Sequence, residues 1–181
     1  VKNICVFLGS RSGLDAKFAR AAEELGALLA QNHLRLVYGG GRVGLMGILA
    51  DAVLKHGGEV IGVIPTYLFS EEVAHNGLTE LMEVRSMHER KALMENLAAG
   101  FIAMPGGFGT LDEVCEIITW AQIGLHQKPV GFLNTAGFFN PFIEFVTSAC
   151  TAGFIPQDHV SRLIITEKPL EMIHELRDRI T

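Results

Sequence analysis

The sequence predicts an α/β fold, a mainly parallel sheet of about seven strands with helices on both faces. Three observations predict it. Short β-branched or apolar runs alternate with stretches of helical period, glycine-rich turns fall at the ends of three of these runs, and no linker, repeat or low-complexity segment breaks the alternation. At 181 residues the chain fits one domain spanning 1–181.

Strands are read, in order, at 3–8, 34–38, 59–64, 81–84, 101–104, 130–133 and 163–166. Helices follow from the 3.6-residue period and end signals at 14–31, 44–56, 87–99, 110–124, 138–152 and 169–180. Pro141 falls in the first turn of the fifth helix, where its missing N–H costs little. Thr110 and Glu113 have the spacing of a capping box opening the fourth. In such a fold, ligands lie at the C-terminal ends of the strands.

Composition narrows the function. With 49% apolar and 19% charged residues the chain can bury a sizeable core. A formal charge of -5 and no Lys/Arg-rich run exclude a nucleic-acid surface, which needs clustered cations against phosphates, and point to a small-molecule ligand. VKNICVFLGS has one lysine and too short an apolar run for a signal peptide, and no apolar run is long enough for a bilayer. The expectation is a cytoplasmic protein with no membrane partner. Cys5, Cys115 and Cys150 are an odd set without CxxC spacing and read as reduced core residues. The histidines show no HExxH or paired-ligand spacing, so no metal is implied and most read as surface or packing residues.

Three glycine-rich turns end predicted strands: GSRSG at 9–13, YGGGRVGLMG at 38–47 and MPGGFGT at 104–110. Glycines let a backbone approach a ligand and the following helix N-terminus attracts anions, although the same glycines also serve tight turns. Gly39, Gly41 and Gly44 match G-x-G-x-x-G. An NAD site, however, wants an acid at the end of the next strand, which here ends GVIP, and no Walker motif occurs. Phosphate binding without NAD or ATP machinery is the reading. Ser10 and Ser12 lack a nucleophile signature and read as hydrogen-bond donors or caps.

On the helix 87–99, Met87, Leu93, Met94, Leu97 and Ala98 form an apolar stripe with Arg90 in its middle and Lys91 at its edge. A guanidinium turned toward a core needs an anion, either a ligand's or a structural partner's. Glu113 follows the third glycine turn. As a cap it would be structural; pointing past a bound phosphate toward an attached sugar, it would stabilise an oxocarbenium-like transition state and activate water. Asp112 reads as a solvated partner of the helix dipole.

PGGFGTLDE (105–113) and MHERK (87–91) resemble the PGGxGTxxE and M-H-x-R-K elements of the LONELY GUY (LOG) cytokinin-activating family, and YGGGRVGLMG, GVIP and EIITWAQIGLHQKPVGFLN (116–134) extend the likeness over most of the chain. The resemblance implies a Rossmann-like homodimer that hydrolyses adenine-type nucleoside 5'-monophosphates to free base and ribose 5-phosphate, without a cofactor. It implies Arg90 and Glu113 as the catalytic pair. Gly107, Phe108, Gly109, Thr110, Leu111, Lys91 and Thr119 would bind the nucleotide, together with Gly40 and Met87, and a family glutamate near the base falls at Glu72. Proteins of this kind have often been labelled lysine decarboxylases, but no lysine here stands in a recognisable setting for pyridoxal phosphate. A non-catalytic nucleotide carrier or sensor is the alternative; it needs the three loops but not Arg90 together with Glu113, and a purely structural dimerisation module would need the glycines only as turns.

Overall fold

The computed structural model describes residues 1–180, apart from the side chains of Glu71 and Glu72. Strands β1 (Lys2–Phe7), β2 (Leu34–Tyr38), β3 (Val60–Pro65), β4 (Glu80–Val84), β5 (Gly100–Ala103), β6 (Val130–Leu133) and β7 (Ile164–Thr166) form one sheet in the order β4-β3-β2-β1-β5-β6-β7. Every pairing is parallel. The seven expected strands are therefore present, with ends displaced by at most one residue.

The helices are α1 (Ala16–Gln31), α2 (Gly44–Lys55), α3 (Met87–Leu97), α4 (Phe108–Gln122), α5 (Asn140–Thr151), α6 (Gln157–Ser161) and α7 (Pro169–Arg179). Alternation along β1 divides the core. Ile4 and Val6 pack with Leu25 of α1, Leu49 of α2 and Met172 of α7, while Cys5 and Phe7 pack with Met94 of α3, Val114 of α4 and Phe139 beside α5. Expected elements thus cover both faces. The sequence pattern misses α6 and the short turns Thr66–Leu68 and Phe69–Val73 between β3 and β4. None exceeds five residues, too few to display a helical period.

Helix starts are specified locally. Asp15 accepts from the Lys17 N–H at 2.8 Å to open α1. Ser86 accepts from the Glu89 N–H at 3.1 Å to open α3, and the Glu89 carboxylate accepts in return from the Arg85 N–H at 2.7 Å. The capping box expected at Thr110 is not formed: α4 starts at Phe108 with Gly107 as its N-cap and no side-chain cap bond there. Thr110 is the third residue of the helix and buried, its side chain packed against Gly106 where a β-carbon would collide with it. Glu113 is the sixth, too far along to reach the cap.

The strand order changes direction at β1, which lies between β2 and β5. The chain leaves β1 for α1 on one face and leaves β5 for α4 on the other, so the loops part and a crevice opens above their C-terminal ends. Phe101 of β5, fully buried beneath it, stacks on Phe7 of β1 with ring centroids 6.0 Å apart. Phe101→Ala should therefore cost about 3–5 kcal/mol of stability in urea unfolding. A loss under about 1 kcal/mol would contradict this packing.

Candidate active site

The crevice is a cavity of about 600 Å³, within the range of pockets that enclose small organic ligands. Its walls are the loop after β1 (Gly9, Ser10, Arg11, Ser12, Gly13), the β5–α4 turn through Thr110, the loop residue Gly39, and Met87, Arg90 and Met94 of α3. Phe18, Phe138, Leu45 and Met46 add apolar surface. The Gly9 N–H donates to the Pro105 carbonyl at 3.1 Å, tying the first and third glycine turns together.

The cavity meets the N-terminal end of α4, whose first turn carries neither an acidic residue nor a side-chain cap bond at Gly107. Backbone N–H groups at such an end favour an anion. Glu113, further along the same helix, also lines the cavity. Asp112 does not. It is exposed, as the sequence reading of a solvated partner of the helix dipole has it, and in addition pairs with Lys91 at 3.2 Å.

Arg90 is 3% exposed. Its Nε donates to the Val63 carbonyl of β3 at 2.9 Å and its Nη2 to the Gly39 carbonyl at 2.6 Å, so the guanidinium plane is fixed across the ends of β2 and β3. A β-carbon on Gly39 would run into that guanidinium. The first glycine of G-x-G-x-x-G thus makes room for an arginine, where the sequence reading has it admitting a ligand. Cys5, under the cavity on β1, is pushed well above the usual thiol range by burial and, secondarily, by the charge of Glu113, with Arg90 opposing.

The cavity brings together Met87, Arg90, Gly107, Phe108, Gly109, Thr110 and Glu113. Lys91, Leu111, Thr119 and Gly40 stand outside its lining among the described residues. Lys91 pairs with Glu116 as well as Asp112, Leu111 packs into the α3–α4 core, and exposed Thr119 donates to the Cys115 carbonyl at 2.7 Å. Gly40, with φ +76°, backs onto Ile64 and Leu81. The Glu72 side chain lies outside the described residues. Sequence reasoning missed Phe18, Phe138 and Met46, whose positions after glycine turns were the available signal, and it gave Ser10 and Ser12 no place at the site.

The hydrogen bond from Lys91 to Glu116 holds its ammonium above the ordinary lysine range, against desolvation by burial and with help from Asp112. A Schiff-base lysine requires the opposite shift. Among the described residues no lysine lines the cavity and no group of three His, Cys, Asp or Glu is placed to hold a metal. Cys5, Cys115 and Cys150 are free thiols; Cys5 is buried in the core, Cys115 is half-buried against it, and Cys150 is half-buried, so the expectation of three core residues holds in full only for Cys5. No helix among the described residues is long and apolar enough to cross a membrane.

Residues 46–176 match the family described as "Possible lysine decarboxylase". The cytokinin riboside 5'-monophosphate phosphoribohydrolase LOG of Oryza sativa subsp. japonica is 47% identical over 181 residues, covering 99% of this chain and 74% of that one. A protein of the same description from Rhodococcoides fascians is 47% identical over 165 residues, 91% of this chain and 83% of that one. Among solved structures, the molybdenum cofactor binding protein from Rippkaea orientalis superimposes with a TM-score of 0.73 at 22% identity, covering 100% of this chain and 99% of that one. The Moco carrier protein from Chlamydomonas reinhardtii gives 0.74 at 20% identity, covering 98% and 96%. These two are likenesses of fold.

Proposed function

Because the chain belongs to the family of the cytokinin riboside 5'-monophosphate phosphoribohydrolases, we propose that it hydrolyses the N-glycosidic bond of adenine-type nucleoside 5'-monophosphates, AMP or its N6-substituted relatives, to free base and ribose 5-phosphate. One observation carries the mechanism: Glu113 shares a cavity with the N-terminal end of its own helix. The helix end takes the 5'-phosphate through backbone N–H groups near Phe108, Gly109 and Thr110. Glu113, more than a turn further on, then meets the ribose and not the phosphate.

As the C1'–N bond lengthens, its electron pair leaves with the base and positive charge grows on the sugar. The Glu113 carboxylate stabilises that charge and takes a proton from the water that attacks C1'. The departing base nitrogen takes up a proton from solvent, and Glu113 gives its own back to solvent, leaving free base and ribose 5-phosphate. A guanidinium donates hydrogen bonds and accepts none, so the part of Arg90 is orientation and charge stabilisation. Met87 and Met94 offer polarizable surface beside it. Lys91, Leu111, Thr119, Gly40 and Glu72 remain proposed nucleotide contacts on the family likeness alone.

We place the protein in the cytoplasm as a homodimer. Three free thiols suit a reducing compartment. The support for a second copy is apolar surface just past the end of α4 and on α5: Ile123, Leu125 and Phe145 are each about two-thirds exposed, and no α5 residue is fully buried. Light scattering at micromolar concentration should return twice the chain mass; the mass of one chain refutes the dimer.

AMP should be cleaved far faster than adenosine, because the phosphate anchors the substrate from its non-reacting end and its loss removes transition-state binding. Equal kcat/KM for the two would show the phosphate cradle to be misassigned.

Glu113→Gln should lower turnover by roughly 10² or more while leaving the fold and AMP binding in place. Gln has the size of Glu and an amide oxygen that can accept the same hydrogen bonds, so the substitution removes the charge and leaves the helix in place. A folded variant that binds AMP and still releases adenine at the wild-type rate would return Glu113 to a packing role.

A further inference from the structure

The loop Gly39–Gly41 has two sides. Toward the cavity, the Gly39 carbonyl accepts from Arg90. Away from it, the loop is strapped by the chain that follows the Phe69–Val73 turn: the Arg42 N–H donates to the Val73 carbonyl at 2.8 Å, Gly41 and Ala74 form an isolated antiparallel bridge, and the His75 N–H donates to the Gly40 carbonyl at 3.0 Å. The carbonyl that seats Arg90 and the carbonyl held by His75 belong to consecutive peptides.

The strap is strained where it begins. Val73 has φ +50°, a left-handed conformation that a β-branched residue adopts only when its surroundings impose it. Two residues further on, the His75 side chain anchors the strap. It is buried at 7% exposure, its Nδ1 accepts from the Gly77 N–H at 3.0 Å, and its Nε2 therefore carries the hydrogen donated to Asp51 on α2 at 2.8 Å. The imidazole thus joins the strap to α2, the helix that follows the Gly39–Gly41 loop. Asp51 itself is 67% exposed in its side chain, so it can be changed without opening the core.

We propose that His75, oriented by Asp51, is a positioning residue for the hydrolysis: it clamps the strap onto Gly39–Gly41 and so fixes the carbonyl on which Arg90 rests. This rests on the proposed role of Arg90 in turnover. A histidine that only braced the fold would lower stability without changing the rate of the folded enzyme. A clamp acting through Arg90 changes kcat and leaves KM for AMP nearly alone, because the phosphate site at α4 is untouched.

The test is AMP hydrolysis well below the melting temperature by His75→Ala, Asp51→Ala, Asp51→Asn and the double alanine variant, with amide hydrogen exchange at positions 42 and 75. His75→Ala and Asp51→Ala should each lose about tenfold to a hundredfold in kcat, as an ångström-scale misplacement does. The double variant should lose no more than the worse single one, because the two act as a unit. Asp51→Asn, whose amide oxygen still accepts from Nε2, should stay close to wild type. Exchange at 42 and 75 should quicken in both alanine variants.

Folded alanine variants with wild-type kcat, or a raised KM at unchanged kcat, would overturn the proposal. If His75→Ala does not fold, Asp51→Ala decides alone. A wild-type protein that hydrolyses no nucleoside monophosphate removes the functional reading and with it the catalytic half of this one, while the exchange rates still decide whether the clamp exists.

Discussion

The buried guanidinium of Arg90 is the constraint on which the site depends. Bringing such a cation out of water costs several kcal/mol, and a hydrogen bond from a charged donor to a carbonyl returns about 1.5–3 kcal/mol. The carbonyls of Gly39 and Val63 therefore offset a large part of that cost, and they sit at the ends of two different strands. Their spacing is set by the β2–β3 register, in which Leu36 faces Val60 and Tyr38 faces Gly62. A slip of one residue would turn Val63 to the other face of the sheet and take its carbonyl away. Ser86, four residues before Arg90, fixes where α3 begins and so the angle at which the arginine arrives.

Charge on α4 is sorted with similar economy. A helix N-terminus carries roughly half a positive charge and would attract any nearby carboxylate, which would then compete with a bound phosphate. Here the first turn has no acid, and Asp112 is drawn sideways to Lys91, which also engages Glu116. Glu113 is the carboxylate of this helix that faces the cavity. Lys91 thus shapes the site electrostatically in this chain, whatever nucleotide contact it makes in addition.

Most of the fold was legible in the sequence because its signals are local. Seven apolar runs and six long helical periods suffice for a parallel sheet, and Arg90 stood out because a cation interrupts an otherwise apolar stripe. The start of α4 was not legible, since Thr110-x-x-Glu113 has the spacing of a cap and only tertiary packing against Gly106 turns Thr110 away from that task. The reciprocal cap that does form, Ser86 with Glu89, carries the same local pattern and was passed over. His75 was read as a surface or packing residue because its partners are remote: Asp51 lies 24 residues away, and no periodicity links them. Phe18 and Phe138 meet edge to face at 5.8 Å from α1 and the start of the β6–α5 segment, far apart along the chain, a contact that only the sheet order creates.

The fold by itself does not choose between carrying a ligand and cleaving one. Proteins described as binding or carrying the molybdenum cofactor share its architecture at about one-fifth identity, so the fold is common property. What a carrier has no use for is a carboxylate placed beside the sugar of the molecule it holds, because an anion close to a phosphate-bearing ligand weakens binding unless the ligand gains positive charge. That condition is met only on the way to bond cleavage. A buried cation tied to two strand ends in the same cavity has the same logic: it is costly in the resting protein and useful when charge moves. The proposed hydrolysis accordingly rests on Arg90 and Glu113 together, which line one cavity with the glycine loops, and not on the loops alone.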